Sequence, residues 1–276
     1  MSSISQFIFP PKELASCIVG GIYRDTRGVA LQDEERLNYF PASPFFAASI
    51  MLEGQLHVAD ELMPLHQIKR QPVSPARMYA KPKSAPHMSW SPGPIAGLTV
   101  AFYPDAWATL GGGFDGTPPD CLPSALAHFE THGDAQAWSL FWDEMKDAWA
   151  AALQADRSAR WNGSDRIKSW TYYLMSRAAQ SGTGRSLRSA QRRVRRWTGH
   201  SMQTLNLFAQ IDDLHALIAT EPSTAPVELA ASAGFADQSH MGRALKRVTG
   251  FSPVHLNQRI AEDEAFWCYR LLGERF

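Results

Sequence analysis

Gln238, Ser239, Arg243, Lys246 and Arg247 follow one another at steps of one, three or four residues. A helix over this stretch sets all five on one side. Amide, hydroxyl, guanidinium and ammonium groups in that array suit recognition, not covalent chemistry. An arginine such as Arg243 can donate bidentately to guanine O6 and N7, and a glutamine such as Gln238 suits adenine N6 and N7. Lys246 and Arg247, further along, are placed to hold phosphates, which adds affinity without sequence information.

Such a face needs a helix pinned at both ends. Met241, Leu245 and Val248 fall at i, i+4 and i+7 and make the apolar stripe that packs inward. Asp237 is placed to cap the helix start, Gly234 supplies the tight turn before it, and Gly250 and Pro253 end it. A second copy of the pattern lies upstream. From Ser186 to Gly199, Ala190, Val194 and Trp197 repeat the stripe, while Arg188, Gln191, Arg192, Arg195 and Arg196 face away. Gln191 and Arg192 there suit adenine and guanine edges as Gln238 and Arg243 do, and Arg195 and Arg196 are the candidate phosphate holders. Both units end in Thr-Gly-x-Ser. Between them, Thr204 to Thr220 reads as a helix with Leu207, Ile211, Leu214 and Ile218 on one face. At ~1.5 Å per residue that rod is roughly 25 Å long, which sets two reading helices close to one turn of DNA apart, ~34 Å.

The charge distribution supports the same reading. The 276 residues carry 27 basic and 27 acidic side chains, a net charge of zero. Residues 1–159 hold 11 Lys and Arg against 17 Asp and Glu, whereas residues 160–260 hold 14 against 6. An acidic front and a basic back are expected of a regulatory part joined to a DNA-binding part. No window approaches the ~18 apolar residues of a membrane-spanning helix, and the start lacks the basic and apolar regions of a secretory signal. Three widely spaced cysteines, Cys17, Cys121 and Cys268, argue against a disulfide framework and for the reducing cytoplasm.

The front of the chain reads as strands and turns. Ala15 to Tyr23, Phe45 to Leu52 and Ile95 to Tyr103 are strand candidates, and Glu53-Gly54 is expected to fold Gln55 to Ala59 back as a hairpin. Prolines between 64 and 94 break the middle into loops or edge strands. The expectation is a small β-barrel or sandwich. Trp90, Phe102, Tyr103 and Trp107 have two readings, an effector pocket or, favoured, core. His57, His66 and His87 lack metal-site spacing, and neither a nucleophile elbow nor a phosphate loop is present, so no metal, cofactor or enzyme activity is expected. Leu122 to Phe129 and Ala137 to Leu153 read as helices that join two domains, pair with a second copy, or pack on the β part. Phe266 to Tyr269 reads as a last helix packed on the DNA-binding part.

From Asp165 to Arg259 the chain resembles the AraC/XylS family of bacterial transcription regulators. The residues that carry the likeness are Ala230-x-x-x-Gly234-Phe235-Ala236-Asp237-Gln238-Ser239-His240 and Arg243-x-x-Lys246-x-x-Thr249-Gly250-x-Ser252-Pro253. By the resemblance, Arg188, Gln191 and Arg192 in the first unit and Gln238, Ser239, His240, Gly242 and Arg243 in the second take the family's base-contacting positions. His240 is divided between base contact and helix cap, and Gly242 allows reading only by backbone approach or shape. The fold implied is α+β. It comprises a β-barrel or sandwich, cupin-like regulatory domain (1–118), a helical linker (119–162), an all-α domain with two helix-turn-helix units (163–260) and a helical tail (261–276). The function implied is a sequence-specific transcription regulator reading two major-groove segments, with a small-molecule effector in the β domain. Its expected partners are double-stranded DNA at an operator or promoter, RNA polymerase, a second copy of the chain and an effector of unknown identity, with no membrane. Two alternatives stay open: a metal-binding or small-molecule cupin-type enzyme tethered to DNA, and an architectural DNA binder.

Overall fold

Strand-forming runs fill the first hundred residues and helices the remainder, as the shift from apolar alternation to helical periodicity requires. The computed structural model describes residues 4–132, 134–155, 166–181, 186–220 and 224–273. The expected boundary at 162/163, Asp165 at the start of the family likeness, and the glycines of the turn before Ser186 lie outside the described residues.

Five antiparallel strands form the larger sheet, in the order β1 (Ile4–Ile8), β2 (Ile18–Asp25), β8 (Ala96–Phe102), β4 (Phe46–Glu53), β6 (Arg77–Ala80). Its central strands bury Phe46, Ala48 and Ile50 of β4 and Leu98, Val100 and Phe102 of β8, alternate residues on one face of each strand. A second sheet of three strands has the order β3 (Leu37–Phe40), β7 (His87–Trp90), β5 (His57–Ala59). Both orders are linear, with edge strands at each end, so the described strands form two open sheets and not a closed barrel. The expected hairpin is also corrected. β4 pairs with β6 and β8 in one sheet, whereas β5 pairs with β7 in the other. Gly54, at φ +84°, turns the chain from the first sheet into the second instead of folding it back on itself.

Two short helices, α1 (Leu65–Ile68) and α2 (Pro104–Thr109), belong to this β part. The hairpin of α3 (Cys121–Thr131) and α4 (Asp134–Ala155) follows. Of the three roles open to α4, packing on its own chain is the one observed. Ala137, Phe141, Met145 and Trp149 are buried, Trp149 Nε1 donates to Ser16 Oγ at 3.2 Å, and the Trp138 ring lies over Gly21 of β2. The apolar face is thus covered from within the chain.

The helical region comprises α5 (Ile167–Gln180), α6 (Leu187–Thr198), α7 (Met202–Thr220), α8 (Pro226–Ser232), α9 (Gln238–Thr249), α10 (Pro253–Glu262) and α11 (Trp267–Gly273). It shares one continuous hydrophobic core with the sheets. Residues far apart in sequence form the joint. Trp267 Nε1 donates to Asn38 Oδ1 at 2.7 Å, Arg24 pairs with Glu264 at 2.7 Å, and Tyr39 packs on Phe251 and Phe266. The aromatic tail therefore does not rest on the helical region alone. Its rings wedge between α9–α10 and strands β1 and β3, because indole and phenyl groups of that size need two apolar surfaces to be covered.

Candidate nucleic-acid interface

The two polar helices are built alike. Ser186 Oγ accepts from the Ser189 N–H at 3.2 Å at the start of α6, and Asp237 Oδ1 accepts from the His240 N–H at 2.6 Å at the start of α9, the N-cap bond that satisfies an orphan donor. Their ends match as well. In α6 the buried Thr198 hydroxyl donates to the Val194 carbonyl at 2.9 Å and accepts from the His200 N–H at 3.1 Å. In α9 Thr249 does the same with Leu245 at 2.8 Å and Phe251 at 3.2 Å. Gly199 and Gly250 follow at φ +74° and +84°, the left-handed conformation that closes a helix and favours glycine. The Thr-Gly repeat seen in the sequence is thus one C-terminal capping device used twice.

Each helix buries the stripe expected of it. Ala190 and Val194 of α6 and Met241, Leu245 and Val248 of α9 are buried, and Trp197 is half-buried beneath the Arg177 guanidinium, 5.1 Å from the ring centre. Arg188, Gln191, Arg192, Arg195 and Arg196 are all exposed on the outer side of α6. On α9, Gln238, Ser239, His240, Arg243, Lys246 and Arg247 are exposed and Gly242 is half-buried. The His240 ring is engaged in the preceding turn: Nδ1 accepts from the Ala236 N–H at 3.3 Å and the ring meets Phe235 edge-on.

α7 runs between the two helices with a buried face different from the one expected. Leu205, Phe208, Ile211 and Leu214 are buried, whereas Ile218 is 44% exposed. The helix is enclosed by α5, α8, α9 and α11, so a single stripe does not describe it. Three polar contacts that the sequence reading missed position the site. Gln210 Nε2 of α7 donates to the Gly234 carbonyl at 2.6 Å, holding the turn between α8 and α9. Arg193 Nε donates to the Ala178 carbonyl at 2.7 Å, fastening α6 to α5. Arg166 pairs with Asp212 at 3.2 Å and with Asp213, tying the start of α5 to α7. Local periodicity carries no signal for such long-range pairs.

The four aromatics with two readings lie in the β part. Trp107 stacks on Phe46 at 4.7 Å, Tyr103 meets Phe45 edge-on at 5.4 Å, Phe102 is fully buried, and Trp90 Nε1 donates to the Asp33 carbonyl at 3.1 Å. Among the described residues no cluster of three or more His, Cys, Asp or Glu is arranged to hold a metal, and no helix is long and apolar enough to cross a membrane.

Residues 181–259 match the family described as a helix-turn-helix domain, the segment that contains both polar helices. No curated protein matches the chain in sequence. Solved structures of ToxT from Vibrio cholerae are similar at low identity. One with bound unsaturated fatty acid is 11% identical over 79% of this chain and 93% of that one, with a TM-score of 0.35. An apo variant is 9% identical over 92% and 96%, with a TM-score of 0.38. Likenesses this loose assign no ligand or partner to the present protein. The domain match at residues 181–259 takes in the signature residues on α8, α9 and α10, so this part of the chain carries a helix-turn-helix domain.

Proposed function

We propose that the protein is a sequence-specific regulator whose α6 and α9 enter two successive major-groove segments, each as the second helix of a helix-turn-helix unit. What carries this reading is the pair of like-capped helices, each burying an apolar stripe and each exposing a basic, amide-bearing face. Arg188, Gln191 and Arg192, and Gln238, Ser239 and Arg243, are the base readers in this proposal. Arg195, Arg196, Lys246 and Arg247 hold phosphates. Gly242 offers close backbone approach. His240, engaged with the Ala236 N–H, shapes the turn and leaves base reading to its neighbours.

The 1–118 β part would be the regulatory domain, the helices of 119–162 its buttress, 163–260 the reader and 261–276 the wedge between them. A cytoplasmic location, contact with RNA polymerase, pairing of two copies on one operator and control by a small molecule complete the proposal. Selection of random-sequence DNA over several rounds with the full chain tests it. The expected product is a motif of two half-sites about one helical turn apart. Selection that returns no motif would overturn the specific-regulator reading in favour of an architectural binder.

A further inference from the structure

The cap residues set α6 and α9 in one register. Both helices run for 12 residues, from a capping side chain at Ser186 or Asp237 to a left-handed glycine at Gly199 or Gly250. Counted from the cap, Arg192 and Arg243 share the sixth position, Arg188 and Ser239 the second, and Leu187 and Gln238 the first. The first position is thus an amide in one helix and an isobutyl group in the other.

Leu187 continues the apolar stripe of α6, three residues before Ala190 and seven before Val194. Ala190 and Val194 are 3% and 0% exposed, yet Leu187 is 66% exposed. The stripe outruns the core by one turn. Among the described residues of α6 and α9, Leu187 is the one large apolar side chain left exposed. Its neighbours in that turn are polar and already engaged with one another. Ser186 Oγ and Ser189 Oγ lie 3.0 Å apart, and Arg192 Nη2 donates to Ser189 Oγ at 3.3 Å.

The opposite ends of the two helices are occupied by the β part. The Ala42 N–H donates to the Val248 carbonyl at 2.8 Å in the last turn of α9, and Leu62 and Pro86 close over Gly250. Ser84 Oγ lies 3.4 Å from His200 Nδ1, just beyond α6. That leaves the N-terminal turns to enter a groove, the end that a helix-turn-helix reading helix presents to base edges. In the major groove the one apolar group on a base edge is the C5-methyl of thymine; the other groups are donors and acceptors. An isobutyl side chain can cover the methyl, and against the others it would desolvate a polar group without replacing its hydrogen bond.

We propose that Leu187 reads a thymine methyl in the first half-site, at the position where Gln238 reads adenine in the second. The operator is then a pair of unlike half-sites that share the guanine taken by Arg192 and Arg243. This inference deepens the DNA-reading function proposed above and rests on it. The test titrates the full chain with the duplex recovered by random-sequence selection, and with copies in which each thymine in turn is replaced by deoxyuridine, which lacks only the methyl. One replacement should weaken binding about fourfold, the worth of one buried methyl, and the same replacement should cost Leu187→Ala nothing. On the unmodified duplex Leu187→Ala should itself bind at least about fourfold more weakly. Leu187→Gln, which copies the second unit, should come to prefer adenine at that position. Should either variant fail to fold, the deoxyuridine series on the unsubstituted chain still decides. Tolerance of deoxyuridine at every thymine, or a loss that persists in Leu187→Ala, would overturn the assignment while the selected motif leaves the regulator reading standing. Selection that returns no motif overturns that reading, and this assignment with it.

Discussion

The Trp170 indole N–H donates to Asp105 Oδ1 at 2.8 Å with both side chains buried, joining α2, the helix that follows β8, to α5. Arg177 stands 3.7 Å from the other carboxylate oxygen. Burial pushes the Asp105 carboxyl above its ordinary range, and these two partners pull it back. The bond spans the joint between the two halves of the molecule, so its loss should be felt in stability before it is felt in DNA contact.

Trp170→Phe keeps most of the ring and removes the donor. Leaving a buried acceptor short of a partner costs roughly 1–3 kcal/mol. Urea unfolding of Trp170→Phe, Asp105→Asn and the double variant should give a coupling energy of about 0.5–3 kcal/mol. Strict additivity would show that the joint does not depend on this bond.

Within α9 two basic residues should behave differently. Arg243→Ala should relax preference at one base position at a cost of about 1–3 kcal/mol on the preferred site. Lys246→Ala should weaken all sequences alike and reduce the salt slope by roughly one unit. Binding titrations at several salt concentrations, on specific and scrambled DNA, measure both. Identical behaviour of the two variants would refute the division between readers and phosphate holders.

The two capping glycines offer an internal comparison. A Cβ at Gly199 meets nothing within 4 Å, whereas at Gly250 it would come within 2.5 Å of Leu62 and 3.4 Å of Pro86. Alanine pays about 1–2 kcal/mol for the left-handed backbone at either position. Gly250→Ala must in addition displace the Leu62 side chain. Its melting temperature should therefore fall further than that of Gly199→Ala, and equal losses would argue against close packing of the β loops on α9.

His87 stacks on Phe40 at 5.1 Å, and its enclosed Nδ1 has no hydrogen-bond partner among the described residues. Burial, then the neighbouring Lys83, pull its pKa from 6.5 down to about 3, against a smaller opposing effect of Asp60. The unfolded chain therefore binds this proton more readily than the folded one. The stability due to neutral His87 is complete above pH 6.5 and is lost as pH falls toward 3, with a limiting slope of about 1.4 kcal/mol per pH unit. His87→Phe preserves the stack and removes the titration. Stability curves from pH 7 to 4 should fall less steeply for that variant, and parallel curves would remove His87 from the account.

Much of the build of α6 and α9 was legible in the residues themselves. The caps at Ser186 and Asp237, the terminating Thr-Gly pairs and the stripes on α6 and α9 depend on neighbours within one or two turns, so spacing along the chain reveals them. The β part was less legible. Gly54 marked a turn, but whether the chain after it returned to β4 or crossed to another sheet depends on β7, about thirty residues later. A hairpin signal contains no information about that competitor.

The sequence by itself determined which helix faces are basic, where those helices begin and end, and that an acidic front precedes a basic back. These properties follow from residue type and a 3.6-residue period, which are local. Only the tertiary structure decided that the two halves share one core, that Trp267 and Arg24 close the joint, and that two separate loops of the β part, through Ala42 and Ser84, touch the end of α9 and His200 just beyond α6. Contacts between residues as distant as Arg24 and Glu264 are selected by the packing of the whole chain, because burying large apolar surfaces outweighs the preference of any single segment.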